Sequence, residues 1–258
     1  MSLDNRSAVV TGGGRGIGAA TARALASAGA KVVVSARSVE QIESVKDELR
    51  RAGHEAWAIP CDVTQAEEVE ALAAQAREQV GPVQILINNA GVAASAPLKH
   101  ISLEDWNRLL AVNATGPFLC TQAFMPGMVE TGWGRVINVA SIAGKIGAPY
   151  IAAYSASKHA VIGFTRAVAA EVAAMGVTVN AVCPGYVDTP MTDQSVANIS
   201  AKTGLSEDEA RERLFSTSPQ GRLIESEEVA YLVASLCDPA AKGVNGQAIV
   251  LDGGLVQT

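Results

Sequence analysis

Short apolar runs rich in β-branched residues alternate with longer, alanine-rich segments along the chain. Segments such as 17–28 and 39–51 are long enough to form helices that carry the chain from one parallel strand to the next. The pattern predicts the α/β class: a doubly wound, Rossmann-type parallel sheet of seven strands, flanked by helices. The predicted strands cover residues 8–11, 31–35, 56–61, 85–88, 136–140, 177–183 and 248–251.

One interruption breaks this alternation after the sixth strand. Between Asp188 and Gly221 lies a polar, helix-prone stretch that includes LSEDEARERLF. Long excursions beyond the carboxyl ends of parallel strands are where substrate lids lie. We therefore expect a single domain, 1–258, with a helical lid inserted at about 189–220. The apolar residues of this segment could line a substrate pocket or pack the lid onto its own body: Met191, Val196, Ile199, Leu205, Leu214 and Phe215.

Composition narrows the classes of function. Hydrophobic residues make up 48% and charged residues 18% of the chain, which excludes intrinsic disorder. A formal net charge of -6, with no basic run, makes nucleic acid an unlikely partner. The N-terminus has no apolar signal core and no apolar run is long enough to span a bilayer, so we expect a cytoplasmic protein with no membrane partner. The four cysteines lack metal-ligand spacing and indicate buried free thiols, and no metal is expected.

A glycine cluster follows the first predicted strand and opens the first predicted helix, in the sequence TGGGRGIG. Glycine permits positive φ and lets the backbone approach a pyrophosphate, whose charge the amides and dipole of the helix attract. A tight turn would need the same residues, but the position on the first strand of an α/β chain favours dinucleotide binding. The residues of this candidate site are Gly12, Gly14, Arg15, Gly16, Ile17 and Gly18.

Tyr154 and Lys158 lie four residues apart in a segment whose apolar periodicity predicts a helix, so they share one face. A neighbouring ammonium is expected to lower the pKa of the phenol and so allow proton exchange near neutral pH. Such a pair also occurs by chance on exposed helices. Its position after Ser141, which directly follows a predicted strand, favours catalysis. No HExxH spacing or G-x-S-x-G elbow supports a metal enzyme or a hydrolase triad.

Nearly the whole chain resembles the short-chain dehydrogenase/reductase family, through TGGGRGIG, CDVT, NNAG, YSASK and PGYVDT. By this resemblance Tyr154 donates a proton to a carbonyl oxygen, Lys158 tunes the phenol and binds the nicotinamide ribose, and Ser141 bonds the substrate oxygen. Asn113 matches an asparagine that orders a water beside Lys158, and Gly116 and Pro117 favour an irregular helix there. The resemblance assigns further cofactor contacts to Asp62, Val63, Asn89, Ala90, Gly91, Pro184, Gly185, Val187 and Thr189.

The residues after the second strand bear on the choice of cofactor. Ala36 stands where NAD-preferring relatives carry an acid, and Arg37 follows it. A guanidinium can bind a 2′-phosphate that a carboxylate would repel, and Arg15 offers a second positive charge. NADP(H) is therefore preferred and NAD(H) remains possible. The two arginines could instead be solvated, and NAD would be favoured if Glu40 reached the ribose.

The substrate is the least constrained part of the prediction. The segments around YSASK and PGYVDTPM look most like 3-oxoacyl-thioester reductases, including polyketide ketoreductases. The alternatives are a secondary-alcohol or hydroxyacyl-CoA dehydrogenase and, in another class, a non-catalytic nucleotide-binding sensor. Arg211 and Arg213 could meet an acyl carrier protein or be solvated helix charges. The resemblance also implies a homotetramer, in which helices around 107–129 and 153–174 pair between subunits.

Overall fold

All seven predicted strands are present in the structure, a computed structural model that describes residues 2–216 and 218–257. Their ends differ from the prediction by at most two residues, because a strand buried on both faces reads as an apolar run with few polar markers at its ends. The strands are β1 Ser7–Thr11, β2 Lys31–Ala36, β3 Ala56–Pro60, β4 Ile85–Asn88, β5 Gly134–Val139, β6 Val177–Pro184 and β7 Ala248–Leu251.

The helices occupy the segments between the strands. Each follows the apolar spacing of its sequence, as Ile42, Val45 and Leu49 show on the buried face of the second helix. The helices are α1 Gly16–Ser27, α2 Val39–Arg51, α3 Ala66–Val80, α4 Leu103–Leu110, α5 Gly116–Glu130, α6 Ala152–Val172, α7 Pro190–Thr203, α8 Glu207–Phe215 and α9 Ser226–Cys237. A π-helical turn, Ala111–Thr115, joins α4 to α5. Short 3₁₀ segments lie at Leu98–His100, Ile142–Gly144, Ala173–Met175 and Pro239–Gly243.

The strands form one parallel sheet in the order β3-β2-β1-β4-β5-β6-β7, which confirms the predicted fold class. Apolar clusters fill both faces of the sheet, one beneath α1, α2 and α9 and the other beneath α3, α5 and α6. Strand order reverses between β1 and β4, so the loops that follow these two strands diverge. The crevice that such a reversal leaves at the carboxyl ends of the strands is the usual ligand site of this architecture.

All four cysteines are buried and unpaired, as predicted, and burial raises the pKa of each thiol. For Cys120 and Cys237 the pKa rises to about 12, so both stay protonated and inert near neutral pH. Among the helices of the described residues, none has both the length and the apolar character needed to cross a membrane.

Candidate active site

Thr11 and Asn89 tie together the ends of β1 and β4, on either side of the crevice. The Thr11 hydroxyl accepts hydrogen bonds from the amides of Asn89 and Ala90, at 3.1 and 3.2 Å. The Asn89 side chain donates to the carbonyls of Thr11 and Gly12, both at 3.0 Å. Asn89, expected from the resemblance to border a ribose, therefore also fixes the glycine turn against the neighbouring strand.

The turn after β1 is built on close backbone approach. Gly12 has a φ of +63°, and a Cβ on Gly18 would lie 2.2 Å from the Gly12 carbonyl oxygen. Helix α1 begins at Gly16 with no side-chain capping bond and no acid in its first turn. Its first amides and the positive end of its dipole are thus left for an anion.

A cleft of about 340 Å³ opens beside this turn. Twelve of the predicted cofactor residues line it: Gly12, Gly14, Arg15, Gly16, Ile17, Arg37, Asp62, Val63, Asn89, Ala90, Gly91 and Thr189. Other residues that line the cleft were not predicted from the sequence: Ser38, Gln41, Cys61, Val92, Val112 and Pro190. Six predicted cofactor residues do not line it: Gly18, Tyr154, Lys158, Pro184, Gly185 and Val187.

At the far end of the cleft, Arg37 and Asp62 carry opposite charges. The Arg37 guanidinium lies 3.9 Å from the Asp62 carboxylate, and its side chain is 70% exposed. Thr64 holds the other carboxylate oxygen through its amide and hydroxyl, at 3.0 and 2.8 Å. Glu40, whose carboxylate would have favoured NAD, is exposed and does not line the cleft. Arg15 and Arg37 are the basic residues that line the cleft, and Asp62 lies beside Arg37.

Tyr154, Ser141 and Lys158 meet near the carboxyl ends of β5 and β6. The Tyr154 hydroxyl is hydrogen-bonded to the Ser141 side chain, and Lys158 Nζ lies 5.8 Å from the centre of the tyrosine ring. Ser141 is placed by the 3₁₀ turn that follows β5, because its hydroxyl also accepts the Ala143 amide at 3.1 Å. The predicted shared face of Tyr154 and Lys158 is thus present.

Lys158 is a buried ammonium without an ion-pair partner among the described residues. Its Nζ donates to the Val139 carbonyl at 2.8 Å, and only 5% of the residue is exposed. Burial lowers its pKa to about 8. A Cβ on Gly91 would lie 3.7 Å from Nζ, so the amine faces the second strand-end turn that borders the cleft.

The Tyr154 pKa differs from the expectation drawn from the sequence. Burial raises the pKa of Tyr154, the Ser141 hydrogen bond opposes the rise, and the nearby Tyr186 adds to it. The lowering expected from Lys158 is not among the causes of this shift, and the loss of solvent around the phenol is the largest of them. The phenol is therefore protonated at neutral pH.

Asn113 lies in the π-helical turn that the sequence predicted as irregular. Pro117 lacks the amide that would donate to the Asn113 carbonyl in a regular α-helix, so the turn widens. The Asn113 side chain exchanges two hydrogen bonds with the Val92 backbone, at 2.8 and 2.9 Å, and donates to Ser157 on α6 at 3.0 Å. It thereby holds the loop after β4 against the helix that carries Tyr154.

The PGYVDT segment packs against the C-terminal turn and leads into α7. A Cβ on Gly185 would lie 2.8 Å from Cβ of Asp252, whose carboxylate accepts three amides of the C-terminal turn. Gly185 thus permits close packing on that turn. The Val187 carbonyl accepts the Thr192 hydroxyl, and Thr189 caps α7 at the Thr192 amide. Of these residues, Thr189 reaches the cleft.

The predicted lid consists of α7 and α8, which pack on each other around Val196, Ala210 and Leu214, with Ile199 beside them. Val196, Ile199 and Leu214 therefore pack the predicted lid onto its own body, which was one of the two possibilities left open by the sequence. Met191, 41% exposed, lines the cleft.

Ion pairs and a hydrogen bond fasten the lid to the rest of the chain. Arg211 pairs with Asp188 at 2.9 Å and with Asp193, so it is engaged within the lid. Lys202 Nζ reaches across to the Ser95 carbonyl at 3.0 Å. The base of the lid is thus held by charge, and its tip by one exposed hydrogen bond.

A buried amide network beneath the site was missed from the sequence. The Asn88 amide donates to Asn138 at 2.8 Å and to Thr121 at 3.1 Å, and the Asn138 amide donates to Thr165 at 2.8 Å. The network joins β4 and β5 to α5 and α6, directly below Val139 and Lys158. Asn88 is the one polar residue of β4, and Asn138 interrupts the apolar run VINV of β5, and that was the signal available.

The residues around the cleft fit a dinucleotide. An uncapped helix start, a backbone approach that side chains would block at Gly18, and two arginines suit phosphates at two places. With a phenol, a serine hydroxyl and a buried amine near the same sheet edge, these features define a nucleotide-binding α/β protein equipped for proton transfer to an oxygen.

Comparison with known proteins identifies the family. The family model for short chain dehydrogenase matches residues 6–200. A 3-oxoacyl-[acyl-carrier-protein] reductase of Synechocystis sp. is 42% identical over 257 residues, 99% of this chain and 98% of that protein. A D-beta-hydroxybutyrate dehydrogenase of Rhizobium meliloti is 37% identical over 254 residues, 96% of this chain and 98% of that protein. The chain belongs to the short-chain dehydrogenase family, and is an oxidoreductase, as its motifs predicted.

A solved structure extends the agreement to three dimensions. Actinorhodin polyketide ketoreductase, in a variant crystallised with NADPH, superposes with a TM-score of 0.95 at 42% identity and covers 99% of both chains.

Proposed function

We propose that this chain reduces the ketone of a 3-oxoacyl thioester to a secondary alcohol, with NADPH as reductant and Tyr154 as proton donor. The observation that carries the proposal is the Tyr154 hydroxyl, hydrogen-bonded to Ser141 and kept protonated by burial, beside a buried lysine. Relatives named as a 3-oxoacyl-[acyl-carrier-protein] reductase and a polyketide ketoreductase support the substrate class.

NADPH, when bound, supplies the hydride for the carbonyl carbon. The α1 start and its glycine turn would hold the pyrophosphate, and Arg15 and Arg37 the 2′-phosphate. Glu40 does not oppose them, since it lies off the cleft, and the related ketoreductase was crystallised with NADPH. NADH is the weaker alternative cofactor.

Tyr154 and Ser141 act on the ketone oxygen. The Ser141 hydroxyl donates a hydrogen bond that stabilises the negative charge developing there, and the Tyr154 hydroxyl transfers its proton. A raised pKa keeps that proton in place until the oxygen becomes basic. Burial thus suits the reductive direction, because oxidation would begin from the phenolate.

Lys158 and Asn113 prepare the donor for the next turnover. An amine with a pKa of about 8 is mostly protonated at pH 7 yet exchanges readily, so it can help return a proton to the phenolate. Asn113 acts as a positioning residue, since it holds α6 and the loop after β4 together.

Oxidation of a 3-hydroxy acid is the second candidate, favoured by the D-beta-hydroxybutyrate dehydrogenase relative. The two enzymes need different groups around the substrate, because a free carboxylate requires a cation that a thioester does not. Rates with acetoacetyl thioester and NADPH against rates with 3-hydroxybutyrate and NAD discriminate between them.

The proposal includes the chain's organisation and partners. One catalytic domain, 1–258, carries its lid at about 189–220 and assembles as a cytoplasmic homotetramer. Phe118 on α5, 43% exposed, contacts Phe164 of α6 edge-on at 6.3 Å, which gives the proposed helix-pair interface an apolar centre. An acyl carrier protein remains a possible partner, and Arg213, unlike Arg211, is exposed enough to meet it.

Replacing Tyr154 by phenylalanine tests the proton donor. We expect the rate of NADPH oxidation with acetoacetyl thioester to fall by about 10²–10⁴-fold, the usual contribution of general acid catalysis, with NADPH binding retained. Tyr231→Phe, on the exposed face of α9, is the matched control and keeps full activity. A Tyr154→Phe variant with the wild-type rate would show that Tyr154 is not the proton donor. A wild type that binds NADPH but reduces no ketone in a panel would indicate a nucleotide-binding sensor.

A further inference from the structure

Helix α2 begins at the same end of the cleft as Arg37. Ser38 precedes the helix without a side-chain capping bond, and the first helical hydrogen bond runs from the Ile42 amide to the Ser38 carbonyl at 3.2 Å. The amides of residues 39–41 are therefore the unpaired start of the helix. By itself this start selects no ligand, but a side chain beside it has a defined position.

That side chain belongs to Gln41, in the first turn of α2. It lines the cleft with Arg15 and Arg37 and packs across the glycine turn: a Cβ on Gly14 would lie 2.8 Å from Gln41 Cβ and 3.3 Å from Gln41 Oε1. A side chain at position 14 would therefore collide with Gln41, so Gly14, which also lines the cleft, is required for this packing. Gln41 is exposed and its carboxamide has no hydrogen-bond partner among the described residues, so it can turn toward a bound group, while its neighbour Glu40 does not line the cleft.

We propose that Gln41 is a cofactor-selecting residue, whose carboxamide nitrogen donates to the phosphate on the 2′ position of the adenosine ribose. This inference rests on the proposed function, since it takes NADPH as the cofactor. Arg15 and Arg37 supply positive charge there, and Gln41 adds a neutral donor at a point where a carboxylate would oppose them. Hydrogen bonds to a charged acceptor are stronger than those to a hydroxyl, so Gln41 favours the phosphorylated cofactor.

Two adenosine probes isolate this contact from the chemistry. Adenosine 2′,5′-bisphosphate and 5′-AMP differ in the 2′-phosphate alone, and calorimetry measures their binding without turnover. For Gln41→Met we expect the dissociation constant of the bisphosphate to rise about tenfold, and for Gln41→Glu about a hundredfold. That of 5′-AMP should change less than about twofold. The dissociation constant of NADPH should rise as that of the bisphosphate does, and that of NADH should change as little as that of 5′-AMP.

Gln75→Glu, on the exposed side of α3, is the matched control for added charge and should leave both probes unchanged. Unchanged bisphosphate affinity in both Gln41 variants would overturn the inference. Equal losses for both probes would overturn it as well, because they would mean that Gln41 shapes the turn rather than reading the phosphate. A wild type that binds the two probes equally would instead refute NADPH as cofactor, and with it the proposed function's reductant.

Discussion

Lys158→Met should make the protein more stable at neutral pH while abolishing its activity. The free side chain has a pKa of 10.5 and the folded one about 8. Between these values the unfolded chain binds more protons than the folded one, so wild-type stability rises as pH rises through this window. At pH 7 the buried charge costs about 3 kcal/mol, from roughly 1.36 kcal/mol per pKa unit. Loss of the hydrogen bond to the Val139 carbonyl destabilises the variant by about 1 kcal/mol. The net gain in the free energy of unfolding is therefore about 2 kcal/mol.

Urea unfolding of both proteins, at pH 7 and at about pH 10 and equal protein concentration, measures this difference. Near pH 10 the wild-type amine is neutral in the folded state and the cost falls to about 1 kcal/mol, so the advantage of the variant should vanish. Lys242→Met, at an exposed lysine, is the control and should show no such pH dependence. The buried-charge reasoning would be refuted if the stability difference between Lys158→Met and wild type were the same at both pH values. It would also be refuted if that difference were smaller at pH 7 than at pH 10.

Other predictions concern the turn and the lid. Gly18→Ala should abolish binding of NADPH in a fluorescence titration and lower the melting temperature, because its Cβ would lie 2.2 Å from the Gly12 carbonyl oxygen. Gly163→Ala, on α6 with open space around it, should instead stabilise by about 0.5–1 kcal/mol; destabilisation there would contradict the packing described. Lys202→Met should speed hydrogen exchange in α7 about fivefold, the effect of losing roughly 1 kcal/mol at the Ser95 carbonyl. Exchange in β1 and β4 should stay unchanged, and slower or equal exchange in α7 would show that the bond does not hold the lid.

Sequence sufficed for the sheet and for twelve of the residues that line the cleft. Strands buried on both faces appear as apolar runs, and a glycine cluster placed after the first of them has few alternatives. The widened turn at Asn113 was also accessible, because Pro117 cannot donate the hydrogen bond of a regular helix. Each of these features is determined by neighbours within a few positions along the chain.

What escaped sequence reasoning depends on contacts between distant segments. Thr11 and Asn89 are 78 positions apart, so their hydrogen bond leaves no local trace. The direction of the Tyr154 pKa shift depends on burial, which the four-residue spacing to Lys158 does not reveal. Likewise, the role of Gly185 follows from the C-terminal turn around Asp252, more than sixty positions later.

The α7–α8 hairpin has an apolar cluster of its own, which makes this part of the chain exchangeable. Val196, Ala210 and Leu214 pack against one another, so the hairpin depends little on the sheet for its stability. Replacing residues 194–215 with the matching stretch of a relative, while the cleft-lining Pro190 and Met191 stay in place, should therefore change the preference among ketones and leave nucleotide affinity unchanged. Enzymes of this architecture can therefore diversify by exchange of the α7–α8 hairpin while the sheet and its cofactor cleft stay the same.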